Sequence, residues 1–215
     1  MTERIWRVGL GGSVASGKST LALALTKDAA LREALGGGVE HVDADALLRS
    51  ARAGDAKVRD AILQVVPEAL AADGTLDTAR LADRAFADRT IMARLEAIQW
   101  PVLRRLLDEA TQTAAARGVR LLLVEGVALE RSGIAAELDG IIVVEVDEGR
   151  RERRFVARGG SIEDFRRRNR AQAEVSSGEE DRAALRIDGN GDRAATVAEA
   201  VRLLRNLCLG GDHPV

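Results

Sequence analysis

Cysteine, proline and aromatic side chains are scarce in this 215-residue chain, which has one Cys, three Pro, two Trp, three Phe and no Tyr. The single Cys208 cannot form an internal disulfide, which argues against a secreted disulfide scaffold and fits a reducing cytoplasm. No apolar run approaches the roughly 18 residues needed to cross a bilayer, so no membrane role is expected. The opening MTERIWRVGL has no long apolar stretch behind a basic head and reads as the lead into a strand, not as a signal peptide. Neither sign of charge dominates. The 32 Lys and Arg against 34 Asp and Glu leave a net charge of -2 and a pI near 5.9, whereas a generic nucleic-acid binder is usually basic. Lysine is the sharpest shortage: only Lys18, Lys27 and Lys57 occur among the 32 basic residues, so a lysine that survives the bias invites a reason. What the chain does have is 46% apolar residues over 215 positions. That is enough for one domain of the usual size, roughly 150 residues, with an inserted lobe.

Short runs rich in Val, Ile and Leu alternate with longer helical patterns, the arrangement of an α/β fold with a largely parallel sheet. Strands are expected at Ile5–Leu10, Val39–Val42, Val119–Val124, Ile141–Val146 and, more weakly, Ala184–Ile187. Most are nearly continuous in apolar character, as strands covered on both faces should be. Helices are expected over Lys18–Ala30, Asp77–Ala87, Ile91–Trp100, Val102–Ala116, Glu148–Ala157, Ile162–Ala173 and Ala194–Leu207. The strand-free interval from Asp45 to Arg117 carries Pro67, Asp73-Gly74 and Pro101 and reads as several helices inserted between the second and third strands.

Gly12-Ser13-Val14-Ala15-Ser16-Gly17-Lys18-Ser19 fits G-x-x-x-x-G-K-[ST] without a mismatch. A strand precedes it and a helix follows through Thr20, so backbone N–H groups and a helix N-terminus converge on one anion site. Lys18 would reach the β- and γ-phosphates of a nucleotide, and the Ser19 hydroxyl would ligate Mg²⁺. A compact ammonium suits a narrow loop better than a planar guanidinium, which accounts for one of the three lysines.

A phosphoryl transferase must also orient or deprotonate its acceptor. His41-Val42-Asp43-Ala44-Asp45 closes the second strand with two carboxylates. Asp45 is the candidate base; the alternative is that either aspartate caps a helix beginning at Ala46. His41 reads as a packed or surface side chain. Glu125 ends the strand Leu121–Val124 where a Mg²⁺ ion or its water would be held, with pairing to an arginine as the rival reading. Nine arginines fall between Arg150 and Arg170. Arg150, Arg154 and Arg158 share one helix face, and Gly159-Gly160 breaks that helix before a second one starts at Ser161. Two arginine-rich helices on a glycine hinge look like a lid over triphosphate, and a solvated charged surface is the plainer alternative.

These segments together resemble the dephospho-CoA kinase family. The phosphate loop, Val42-Asp43-Ala44-Asp45, Ala72-Asp73-Gly74-Thr75-Leu76, Phe86-Ala87-Asp88, Leu95-Glu96-Ala97-Ile98-Gln99-Trp100-Pro101, Leu122–Glu125, the spacing from Arg158 to Gln172 and Ile187-Asp188-Gly189-Asn190-Gly191 stand in that family's order across nearly the whole chain. The resemblance implies a P-loop NTPase fold with a five-stranded, mainly parallel sheet, a helical acceptor-binding lobe at about 46–117 and a lid at about 150–172. It implies Mg²⁺- and ATP-dependent phosphorylation of the ribose 3′-hydroxyl of dephospho-CoA by a cytoplasmic monomer or weak homo-oligomer, without nucleic acid. By motif position, Asp45 and Lys18 would be catalytic. Gly12 to Thr20 with Arg154 and Arg158 would bind ATP, Ser19 and Glu125 would hold the metal, and Asp43, Arg80 and Trp100 would meet the acceptor. Six positions depart from the family's pattern, one of them Gly189 in place of an asparagine, with Asn190 next to it. Ser13 and Ala15 replace loop glycines and favour an ordinary backbone there. Gly11 replaces a threonine, Thr78 an arginine (with Arg80 close by), and Trp100 a histidine. Alternative readings are a P-loop kinase for another nucleoside or small alcohol, or an ATP-binding homologue impaired in catalysis.

Overall fold

In the computed structural model five strands form one wholly parallel sheet: β1 (Trp6–Gly11), β2 (Gly38–Asp43), β3 (Val119–Glu125), β4 (Gly140–Glu145) and β5 (Leu185–Asp188), in the order β2-β3-β1-β4-β5. The structure describes residues 4–126, 129, 132–175 and 185–210. The chain divides into two compact units, one made of Met1–Asp43 and Thr111–Val215 and the other of Ala44–Ala110.

The first unit is the sheet with its helices. Val8, Leu10, Leu121, Leu123, Ile142 and Ile187 from the strands pack with Leu21 and Leu25 of α1 (Lys18–Leu25) and Leu204 of α9 (Arg193–Leu209), all nearly or fully buried. Each such side chain removed from water contributes on the order of 2 kcal/mol. The predominance of apolar residues in the central strands follows from this, because a parallel strand covered on both faces has little polar side to show. The helix expected over Lys18–Ala30 is two. α1 stops at Leu25, and Asp28 caps a separate α2 (Ala29–Leu35) by accepting from the Leu31 N–H at 2.8 Å. An aspartate that can cap competes with continued helix, so the chain turns there.

The second unit is helical: α3 (Ala44–Gly54), α4 (Ala56–Val65), a 3₁₀ turn (Pro67–Ala69), α5 (Thr78–Ala87) and α6 (Arg89–Ala116). Val58, Ile62, Val66, Leu81, Ala85 and Leu95 form its core. Asp55 caps α4 through the Lys57 and Val58 N–H groups, and Asp77 caps α5 through the Arg80 N–H. The two helices expected on either side of Pro101 are one continuous helix of 28 residues. Pro101 offers no N–H to the Ala97 carbonyl, a local loss that the long flanking turns outweigh.

The remaining helices, α7 (Glu148–Ala157) and α8 (Ile162–Val175), meet at the predicted glycine break. Gly159 is left-handed at φ 91°, and a Cβ on Gly160 would lie 2.1 Å from the Phe155 ring. Ala184 of the expected last strand and residues 211–215 of the tail lie outside the described residues.

Candidate active site

β1 delivers the chain to the sheet's carboxyl edge, where Gly12 takes φ 129°; a Cβ there would lie 2.6 Å from the Val144 carbonyl oxygen, so only glycine lets the loop cross β4 so closely. The loop then folds on itself through Ser16 N–H to Ser13 O at 3.1 Å and enters α1 at Gly17, φ 103°. No side chain caps α1, which leaves its positive end for an anion. Lys18 is 8% exposed. Its ammonium is folded over the loop, donating to Gly12 O at 2.7 Å and Ser13 O at 3.3 Å. The departure at Ser13 leaves the backbone ordinary, but Ala15 sits at φ 61°, the one non-glycine left-handed residue among those described. The expectation of an ordinary backbone at Ala15 is therefore corrected: loop geometry overrides the alanine's own preference.

Glu125 ends β3 in front of α1. Ser19 Oγ donates to its Oε1 at 2.7 Å, and His41 Nε2 lies 3.0 Å from its Oε2. Burial alone would raise the carboxyl pKa. Hydrogen bonds from His41 and Ser19, with the Lys18 charge, outweigh burial and hold it below its ordinary value. Glu125 thus hydrogen-bonds to a serine and a histidine and not to the arginine considered from sequence, and His41, read as a packed or surface side chain, is packed with its ring nitrogen against that carboxylate. Ser19 and Glu125 offer hard oxygen donors, the kind Mg²⁺ takes.

Of the arginine cluster, the residue that reaches the loop most deeply is Arg151, 7% exposed. Its Nε donates to Val146 O at 3.0 Å, and its Nη1 donates to Asn169 Oδ1 at 2.7 Å and Val14 O at 3.3 Å. Gln172 of α8 completes the grip. Its Oε1 accepts from the Val14 N–H at 2.6 Å and its Nε2 donates to Gly12 O at 3.0 Å. Arg154 bridges Ser16 O at 3.1 Å and Gly189 O at 2.8 Å. Arg154 and Arg158 line a cavity of about 390 Å³ beside Ala15, Ser16 and Gly17, walled by Leu21, Val144, Ala157 and Val197 and edged by Thr20. Its size is that of a ligand pocket. By contrast, Arg166 pairs with Glu152, and Arg167 and Arg168 pair with Asp164 on the surface.

The sequence model of the dephospho-CoA kinase family matches residues 6–194 of this chain. The chain belongs to that family. Similar curated proteins include the dephospho-CoA kinase of Corynebacterium diphtheriae, 35% identical over 86% of this chain and 89% of its own length. The dephospho-CoA kinase of Anaeromyxobacter dehalogenans is 34% identical over 93% and 91%. A Thermus thermophilus crystal structure superposes with a TM-score of 0.73 at 30% identity, covering 94% of this chain and 97% of that one. The Campylobacter jejuni dephospho-CoA kinase structure, at 20% identity and TM-score 0.58, shares the fold.

Within this member of the dephospho-CoA kinase family, the first unit brings together Gly12 to Thr20, Glu125, Arg154 and Arg158. The other candidates sit as follows. Asp43 is the last residue of β2, in register with Glu125. Asp45 lies in the first turn of α3, which begins at Ala44 and not at Ala46. Its negative charge acts on Arg52 of the same helix, whose pKa is lowered first by burial and then by Arg49. Arg80, on α5, is exposed and donates to Glu68 O at 2.9 Å. Trp100 lies in α6, half-buried. Sequence reasoning missed the contacts of His41, Arg151 and Gln172. Strand alternation puts His41 on the face of Asp43, but its meeting with Glu125 depends on register between strands far apart in sequence. Arg151 falls off the 150/154/158 stripe and carried no mark of its own.

Proposed function

We propose that this protein transfers the γ-phosphoryl group of ATP to the ribose 3′-hydroxyl of dephospho-CoA, giving coenzyme A and ADP. The observation that carries the reading is the phosphate loop with Lys18 drawn over it and Ser19 hydrogen-bonded to Glu125, in a chain matched to the family from residue 6 to 194. Gly12 to Thr20 cradle the phosphates, and Lys18 neutralises charge on the transferred group as it leaves ADP. Ser19, backed by Glu125, would hold Mg²⁺, which when bound would draw off charge from the phosphates. Among the described residues no cluster of three His, Cys, Asp or Glu side chains could hold a cation unaided, and a Mg²⁺ ion that relies on substrate phosphates needs none. Arg154 and Arg158, at the edge of the cavity, close on the nucleotide as part of a lid at about 150–172. Asp45 accepts the proton of the 3′-hydroxyl. Asp43, Arg80 and Trp100 serve the acceptor, in a helical lobe at about 46–117. The enzyme works in the cytoplasm as a monomer or weak homo-oligomer.

A coupled ADP-release assay across dephospho-CoA, nucleosides and pantothenate tests the acceptor; release confined to the first is expected, and preference for another would reject it. In the same assay Asp45→Asn should lower kcat on the order of 100-fold or more while the KM for ATP stays within a few-fold. Full turnover in that variant would remove Asp45 as the base. Lys18→Ala should cost at least about 100-fold in kcat/KM; unchanged kinetics would reject the phosphate-loop assignment.

A further inference from the structure

His41 stands at a position that the fold would ordinarily fill with an apolar side chain. It lies inside β2, opposite Leu123 in the β3 register, and Leu123 is fully buried. The imidazole is 16% exposed and the Glu125 side chain it meets 13%. Two polar groups so enclosed cost free energy unless each satisfies the other, and an apolar pair would avoid that cost.

The hydrogen-bond chemistry says what the pair can do. Glu125 as a carboxylate only accepts, so His41 Nε2 must carry a proton and donate it to Oε2 across 3.0 Å. The other arm, Oε1, takes the proton of Ser19 Oγ at 2.7 Å. A carboxylate gripped by one donor on each oxygen cannot rotate freely. A hydroxyl that gives its single proton to Oε1 is left with its lone pairs turned away from Glu125, where a cation can take them.

We infer that His41 is a positioning residue of the metal site: it fixes the Glu125 carboxylate, and Glu125 in turn orients the Ser19 hydroxyl as a cation ligand. This rests on the phosphate-loop reading above and goes beyond it, since it gives His41 a part exercised through its contact with Glu125. Groups that orient a metal's ligands in this way typically change metal affinity 10- to 100-fold when removed.

The test uses the intact chain with Mn²⁺ as the probe, titrated by electron paramagnetic resonance in the presence of saturating ADP, with ADP affinity in EDTA as the reference and thermal melts as a check on folding. His41→Leu should weaken Mn²⁺ binding about 10-fold relative to that reference. His41→Gln, whose amide can still donate, should recover most of the loss. In a Glu125→Ala background His41→Leu should have no further effect, because the group it acts through is gone. A folded His41→Leu protein that binds Mn²⁺ as tightly as the parent overturns the inference, as does a full additive loss in the Glu125→Ala background. A parent that binds no Mn²⁺ with ADP overturns both this inference and the phosphate-loop reading, so the two failures are distinguishable.

Discussion

Ala15 holds φ at 61°, a conformation that an alanine enters at a cost of roughly 1–2 kcal/mol and a glycine enters freely. It does so in the segment whose N–H groups must converge on phosphate, and the neighbours that hold it there are the Ser16-to-Ser13 turn and the left-handed Gly17. Strain of this kind persists only when its surroundings over-determine it. Ala15→Gly should therefore stabilise the protein by about 1 kcal/mol, the relief exceeding the extra unfolded-chain entropy that glycine brings. A urea titration at constant m-value checks it, and a lower midpoint in the variant would mean that the loop does not strain its alanine. At this scale the sequence told half the story. The motif located every loop residue, but an alanine held in the left-handed region could not be read without the backbone angle. His41 was opaque for a different reason: its partner is 84 positions away, and a strand pattern says which face a residue takes but not whom it meets there.

At the scale of elements, the strands were legible because parallel pairing leaves each one a short continuous apolar run, and all five expected segments overlap observed strands. The helices were less so. The sequence pattern ran one helix through Asp28 and broke another at Pro101, whereas in the structure Asp28 caps the start of a new helix and Pro101 sits inside a continuous one. An aspartate offers the chain a competing hydrogen bond, while a proline only withholds one. The glycine break between α7 and α8 was plain, but the consequence of their packing was not. Both helices reach the loop, through Arg151 and Gln172, and together they hold the N–H and the carbonyl of Val14. Gln172→Ala removes the bond to the Val14 N–H and the one from Nε2 to the Gly12 carbonyl, each worth about 1 kcal/mol. Amide exchange at Val14 should quicken, ATP affinity should fall about five-fold, and the melting temperature should drop by several degrees. Tighter ATP binding instead would mean that the Gln172 carboxamide competes with phosphate for the Val14 N–H.

Over the whole molecule, the single cysteine supplies a reporter that no engineering is needed to install. Cys208 lies near the end of α9, 8% exposed, in the same core cluster as Val8, Leu21 and Ile142, which flank the loop on β1, α1 and β4. Burial first, and then the Asp139 charge partly offset by Arg4, pushes its thiol from 9.0 up to about 12. A raised acid pKa means the folded state keeps its proton longer than the unfolded state. The stability linked to Cys208 is therefore present in full below about 9 and is lost as pH rises toward 12. At pH 8 the folded thiol is protonated and enclosed, so alkylation by iodoacetamide must wait for an opening of the structure. If that opening is the cooperative unfolding of the sheet unit, MgADP bound to the loop slows it. At one hundred times its Kd a ligand adds about 2.7 kcal/mol, or roughly a hundred-fold in the open population. Labelling of the native protein should then slow by about that factor with MgADP and be unaffected by free adenine at the same concentration. Labelling that ignores MgADP would show that α9 frays at Cys208 independently of the sheet, and that the loop and the last helix do not open as one.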